Sequence, residues 1–154
     1  MAAGGRIVRA RITEDAIDVD DVLRAVASPS HGAALLFLGV VRDHNEGRAV
    51  RGIRYEAYRE MAEAELRRIA GETMGAAPAL VALVHRVGEL AVGDVSLAVA
   101  VSTPHRADSY ALSRDILEAI KRRLPVWKRE LYADGGESWV GGVEPDAAAT
   151  GRRA

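Results

Sequence analysis

Cysteine is absent from this 154-residue chain. That excludes disulfides, thiolate zinc sites, a cysteine nucleophile and a persulfide carrier. Any sulfur the protein handles must arrive on another molecule. Lysine is nearly absent. Of 21 basic residues only Lys121 and Lys128 are lysine, seven positions apart in "KRRLPVWKRE", and the other nineteen are arginine. Strong net charge is absent as well. The formal value is −1, which provides no global field to recruit nucleic acid or an anionic membrane, so any anion site must be local. No run approaches the roughly 18 apolar residues of a membrane span. The start "MAAGGRIVRARITEDAID" lacks the apolar core of a secretory signal, so the cytoplasm is the expected compartment. No two of His31, His44, His85 and His105 have the i, i+4 spacing of a helical metal pair, and no metal site is expected. There is no Gly-rich phosphate loop, no nucleophile elbow, no paired-carboxylate motif and no basic stripe interleaved with aromatics.

What is present reads as one globular domain, 49% hydrophobic and 28% charged. Residues 6–143 form the expected domain, with small-residue tails at 1–5 and 144–154 expected to be disordered. "RIVRARI" alternates as a strand and "DVDDVLRAVASP" reads as a short helix. "GAALLFLGVVR" is a continuous apolar run of strand length, expected to be buried on both faces. "DHNEGRA" is a polar loop, and "VRGIRYEAY" reads as the return strand of a hairpin. "REMAEAELRRIAGETMG" reads as a helix with Met61, Leu66 and Ile69 among its apolar positions. "ALVALVHRVGEL" and "DVSLAVAVS" read as strands around the turn "AVGD". "ADSYALSRDILEAIKRR" is the clearest helix, with Leu112, Ile116 and Ile120 on one stripe and Pro125 stopping it at Leu124. "RELYADGGESWVGG" reads as a hairpin turning at Asp134-Gly135-Gly136. Adjacent strands without crossover helices predict an α+β fold with a mixed or antiparallel sheet.

Three segments carry candidate chemistry. In "VAVSTPHRADSY", His105 and Arg106 stand at a helix start, where free N–H groups and a guanidinium suit a small anion. The plainer alternative is that Arg106 pairs with Asp108 and His105 merely caps a loop. In "GVVRDHN", Arg42 follows a run too apolar to be exposed, which places it at the mouth of the core. It is either a solvated edge residue or an anion ligand. In "KRRLPVWKRE", cations at Lys121, Arg122 and Arg123 suit a helix C-terminus, which explains the charge but not the choice of lysine. Trp127 is expected to pack under or beside Lys128. Crowded cations lower a lysine's pKa, and an amine so tuned moves protons where arginine stays charged. Tyr55 and Glu56 alternate on a strand and read as packing and surface. His85, at a strand end, reads as a satisfied structural residue.

Taken together and in order, "FLGVVRDHNEGRAVRGIRYEAYREMAE", "HRVGELAVGDVSLAVAVSTPHR", "IKRRLPVWKRE" and "SWV" resemble the large, catalytic subunit of molybdopterin synthase. The resemblance runs from about Gly32 to Val140. It implies an α/β hammerhead-type fold with an added antiparallel sheet. It implies conversion of cyclic pyranopterin monophosphate to molybdopterin, with no permanently bound cofactor. Sulfur would come as a thiocarboxylate on the C-terminal Gly-Gly of a small ubiquitin-like subunit, with a homodimer of this chain at the centre of a heterotetramer. Carried over position by position, the anion pocket falls on Arg42, His105 and Arg106, and the essential lysine on Lys121. The second lysine falls on Lys128, followed by Arg129 and Glu130. Val40 stands where some members carry a basic residue. The alternative is a module that binds an anion or a partner's tail without catalysis.

Overall fold

The computed structural model describes residues 4–139. Residues 1–3 of the expected 1–5 tail, residues 140–143 of the expected 6–143 domain (Val140 of "SWV" among them) and all of the expected 144–154 tail lie outside the described residues. Gly5 is packed: a Cβ there would collide with the Met74 side chain and the Ala77 carbonyl.

In chain order the elements are β1 (Arg6–Thr13), α1 (Val19–Ala25), β2 (Ala33–Val40), β3 (His44–Asn45), β4 (Arg48–Ala57) and α2 (Arg59–Met74). There follow β5 (Leu80–Arg86), β6 (Gly88–Ala91), β7 (Val95–Thr103), α3 (Arg106–Arg123), β8 (Val126–Tyr132) and β9 (Glu137–Trp139). One sheet has the order β1-β5-β7-β2, with β1 parallel to β5 and the other pairs antiparallel. The second is antiparallel, in the order β3-β4-β8-β9, with β6 also on β4. This is the mixed α+β architecture the sequence predicts.

Period-two alternation builds the core of the first sheet. Val81 and Leu83 of β5, with Val99 and Val101 of β7, face α2 and α3. Ala82 and Val84, with Ala98 and Ala100, face α1 through Val22 and Val26. The helices present the matching stripes. Ala62, Leu66, Ile69 and Ala70 of α2 are buried, as are Leu112, Ile116 and Ile120 of α3. The Asp18 side chain caps α1 by accepting from the Asp21 amide at 3.1 Å. Pro125 forces Leu124 into extended geometry (φ −70°, ψ 123°), which ends α3 at the predicted place.

Five expectations change. The apolar run of β2 is not buried on both faces. It is the edge of its sheet, pairs only with β7 among the described residues, and keeps Leu36, Phe37 and Leu38 partly exposed. The strands buried on both faces are β5 and β7, because α1 covers the side that α2 and α3 leave open. No hairpin joins β2 to β4; instead the chain leaves the first sheet at Val41, and the short β3 pairs with β4 across Glu46-Gly47. "ALVALVHRVGEL" is two strands, β5 and β6, divided where β6 crosses to β4. Met61 is exposed on α2, and Trp127 points away from Lys128, with its ring edge-on to Tyr58 at 5.5 Å. On a strand, adjacent residues face opposite sides, which separates Trp127 from Lys128. The hairpin at Asp134-Gly135-Gly136 is present, with Gly135 at φ 92° and the Asp134 carboxylate accepting from the Gly136 amide at 2.8 Å.

Candidate active site

The helical layer ends before the sheets do. Beyond the last turn of α3 a cleft opens between the first sheet and the β4–β8 pair. Its inner chamber, about 340 Å³, has a mixed wall in which Phe37, Leu97, Leu117 and Leu124 stand beside polar groups such as His85. Its outer mouth, about 380 Å³, is polar and includes Arg42, His44 and Glu130. Lys121, Lys128, Tyr55, Ser96 and Gly39 line both parts and so mark their junction.

Each polar side chain reaches the cleft for a local reason. Val126, Lys128 and Glu130 alternate on β8 and therefore share its cleft-facing side, while Trp127 and Arg129 take the other. Across the antiparallel register Tyr55 stands opposite Lys128, and Ile53 opposite Glu130. His85 continues the face of Val81 and Leu83, but at the strand end no helix covers it. Ser96 and Leu97 are neighbours on β7, yet both line the cleft. A register irregularity there explains this, since Gly39 pairs with Leu97 and Val40 with Val95, leaving Ser96 as the extra residue. Lys121 projects from the last turn of α3. Its neighbour Arg123 is held instead by Glu65 at 2.7 Å and Glu72 at 2.6 Å.

The electrostatics follow from burial among like charges. Burial is the main cause lowering the pKa of Lys128. Glu130 opposes it, and the charges of Lys121 and Arg42 reinforce it. Burial raises the Glu130 carboxyl, against the pull of Lys128 and Arg42. Tyr55 is raised by burial, countered by a hydrogen bond with Ser96. His85 is buried, donates Nδ1–H to the Arg86 carbonyl at 2.8 Å and meets the Tyr55 ring edge-on at 5.0 Å. Burial pushes its pKa down to about 4, and the Lys128 charge acts in the same direction.

His85 therefore predicts an acid-labile fold. Its folded pKa lies below the ordinary value of 6.5, so between pH 6.5 and 4 the unfolded chain binds more protons. Its contribution is full above pH 6.5, is lost as pH falls towards 4, and totals about 3 kcal/mol. Urea titrations of wild type and His85→Asn across this range check it. The wild-type stability should fall more steeply towards acid, and parallel curves would contradict the assignment.

Of the residues singled out in the sequence, the cleft gathers Arg42, Lys121, Lys128 and Glu130. It does not gather three others. Arg129 lies on the opposite face of β8 and pairs with Glu137 at 3.3 Å, because it is one residue out of phase with Lys128. His105 and Arg106 stand at the start of α3, and the helix separates Arg106 from Lys121 by about 22 Å at 1.5 Å per residue. Within one chain they belong to a different place. Tyr55, His85 and Ser96 were not anticipated as cleft residues. Only the strand register, the bulge and the end of the helical cover bring them there. Among the described residues no metal-binding cluster of His, Asp or Glu occurs, and no helix is long and apolar enough to cross a membrane.

Comparison with known proteins places this geometry. The MoaE protein family matches residues 12–123. The molybdopterin synthase catalytic subunit 1 of Mycobacterium tuberculosis is 39% identical over 142 residues, covering 92% of this chain and 96% of the relative. The crystal structure of molybdopterin synthase from Staphylococcus aureus superposes with a TM-score of 0.81 at 34% identity, covering 85% of this chain and 96% of the other. A complex of subunits 1 and 2 of the molybdopterin-converting factor from Helicobacter pylori shares the fold, with a TM-score of 0.68 at 16% identity over 97% of this chain and all of the other. The cleft at the end of α3, with its two lysines, is thus carried on the fold and sequence of a known group of proteins, and this chain belongs to the MoaE protein family.

Proposed function

We propose that this chain is the catalytic subunit of a molybdopterin synthase, a sulfurtransferase. It moves sulfur from the C-terminal thiocarboxylate of a small ubiquitin-like subunit to cyclic pyranopterin monophosphate and yields molybdopterin. The observation that carries this reading is one cleft holding both lysines of the chain beside Arg42 and Glu130. Both ligands are anions, a phosphate and a thiocarboxylate, and fixed cations in a partly dry cleft hold them. Lys121 acts as acid/base or electrostatic catalyst while the thiocarboxylate sulfur attacks the pterin side chain. Lys128 holds a second anion and orients the tail, and Glu130 balances the cations at the mouth. Arg129 supports the sheet beside the cleft through Glu137. The reading needs no cysteine and calls for no resident cofactor. The cytoplasm is the compartment in which we place it.

His105 and Arg106 enter this reading through a second copy of the chain. The edge strand β2 leaves backbone groups and apolar side chains open to a partner. A two-fold axis on such an edge pairs it antiparallel with itself. The start of β2 lies beside Pro104, where the Gly32 amide donates to the Pro104 carbonyl at 3.2 Å. Its end leads to Arg42 and the cleft mouth. The two-fold therefore brings His105 and Arg106 of one protomer towards the mouth of its partner. A small subunit on each protomer completes a heterotetramer.

The test is reconstitution with thiocarboxylated small subunit and cyclic pyranopterin monophosphate. Molybdopterin, assayed by its oxidised fluorescent derivative, is the expected product. Complex formation without product would establish the alternative, a module that binds the tail and performs no transfer.

A further inference from the structure

The buried imidazole of His85 has one nitrogen committed and one free. The Arg86 carbonyl only accepts, so Nδ1 carries the proton and Nε2 is a bare acceptor. No donor partners Nε2 among the described residues, and Lys128, whose charge reaches the ring, makes no hydrogen bond to it. The ring is only 7% exposed and lines the inner chamber. The edge-on Tyr55 contact fixes its plane. Nearby, the Ser96 hydroxyl donates to the Gly39 carbonyl at 3.2 Å. The Ser96 hydroxyl is thus used internally, Lys121 and Lys128 supply donors where the chamber meets the mouth, and Nε2 is an unpartnered acceptor on the wall.

An unpartnered acceptor set among Phe37, Leu97 and Leu117 selects among the two ligands. A terminal carboxylate has no proton to give Nε2, and its donors are Lys121 and Lys128 at the junction with the mouth. A flat neutral ring bearing N–H groups matches both these apolar side chains and the acceptor, and leaves its phosphate at the basic mouth. Resting on the sulfur-transfer reading above, we propose that His85 is a substrate-positioning residue whose Nε2 accepts a hydrogen bond from a ring N–H of the pterin.

Two substitutions separate this role from a structural one. Asparagine can keep the donor to the Arg86 carbonyl but has no group at the Nε2 position. Glutamine places an acceptor near Nε2 and gives up the Nδ1 bond. The full chain is titrated calorimetrically with cyclic pyranopterin monophosphate and, separately, with a peptide ending in Gly-Gly, alongside thermal melts. His85→Asn should bind the pterin about tenfold more weakly, the effect of one lost hydrogen bond that strands a buried partner. Its affinity for the peptide should be unchanged, and His85→Gln should bind the pterin better than His85→Asn does. Wild-type pterin affinity in His85→Asn, pterin affinities that merely follow the melting temperatures, or a loss of peptide rather than pterin affinity would each overturn the assignment. A wild-type chain that binds no pyranopterin would overturn it together with the sulfur-transfer reading. Tight binding by wild type and His85→Asn alike would sink the His85 assignment alone.

Discussion

Lys121→Ala should abolish molybdopterin formation while leaving the fold intact. Lys121 is exposed in the last turn of α3, where it makes no ion pair among the described residues, and alanine is the best helix former, so little stability is at stake. The cleft loses the amine at the junction of its inner chamber and its polar mouth. Positioned proton transfer contributes about 10²- to 10⁴-fold, so single-turnover rates with thiocarboxylated small subunit should fall by about that factor. Lys121→Arg tests the reason. Arginine keeps the charge but stays protonated. A strong defect in Lys121→Arg supports an obligate amine, whereas near-wild-type rates would leave charge alone as the requirement. The neighbouring amine behaves differently. Burial loosens the proton of Lys128 while the cations Lys121 and Arg42 surround it, so Lys128→Arg should alter the pH–rate profile as well as the rate.

Mixing two inactive variants should restore activity. If each site takes Lys121 from one protomer and Arg106 from the other, Lys121→Ala and Arg106→Ala homodimers both fail. A mixed dimer then has one site carrying both changes and one carrying neither. Random pairing makes half the dimers mixed, so co-expressed chains should recover about a quarter of wild-type activity. Sites contained within one chain would recover none. The motive is the geometry of α3, which holds the two residues at opposite ends, and the open apolar edge of β2. If β2 pairs with itself as proposed, a charge placed at the partly exposed Leu36 should shift the protein towards monomer on size-exclusion chromatography.

Much of this was legible before any coordinates. The rarity of lysine pointed to Lys121 and Lys128, and both line the cleft. Arg42 was placed at the mouth of the core by the apolar run before it, and Glu130 by the resemblance. The end of α3 at Leu124 and the turn at Asp134-Gly135-Gly136 follow from local backbone chemistry, and both are observed. The distance between Arg106 and Lys121 was also implicit, because a helix joining them cannot bring its two ends together. The reading of β2 failed for a specific reason: an apolar run looks the same whether it lies in the middle of a sheet or at its edge. His85 is the satisfied strand-end histidine that the sequence suggests. Its place in the cleft wall follows from the end of the helical cover, which local sequence does not reveal.

The sequence alone determined the chemistry on offer: amines at two positions, guanidiniums elsewhere, no thiol, and the local punctuation that starts and stops each helix and turn. Only the tertiary structure decided which of these groups meet. Tyr55 stands over Lys128 because β4 and β8 pair in one register, and a shift of one residue would turn that face away. Ser96 enters the cleft because one extra residue interrupts the pairing of β7 with β2. Register and bulge are set by long-range pairing between strands far apart in the chain, and local periodicity does not encode them.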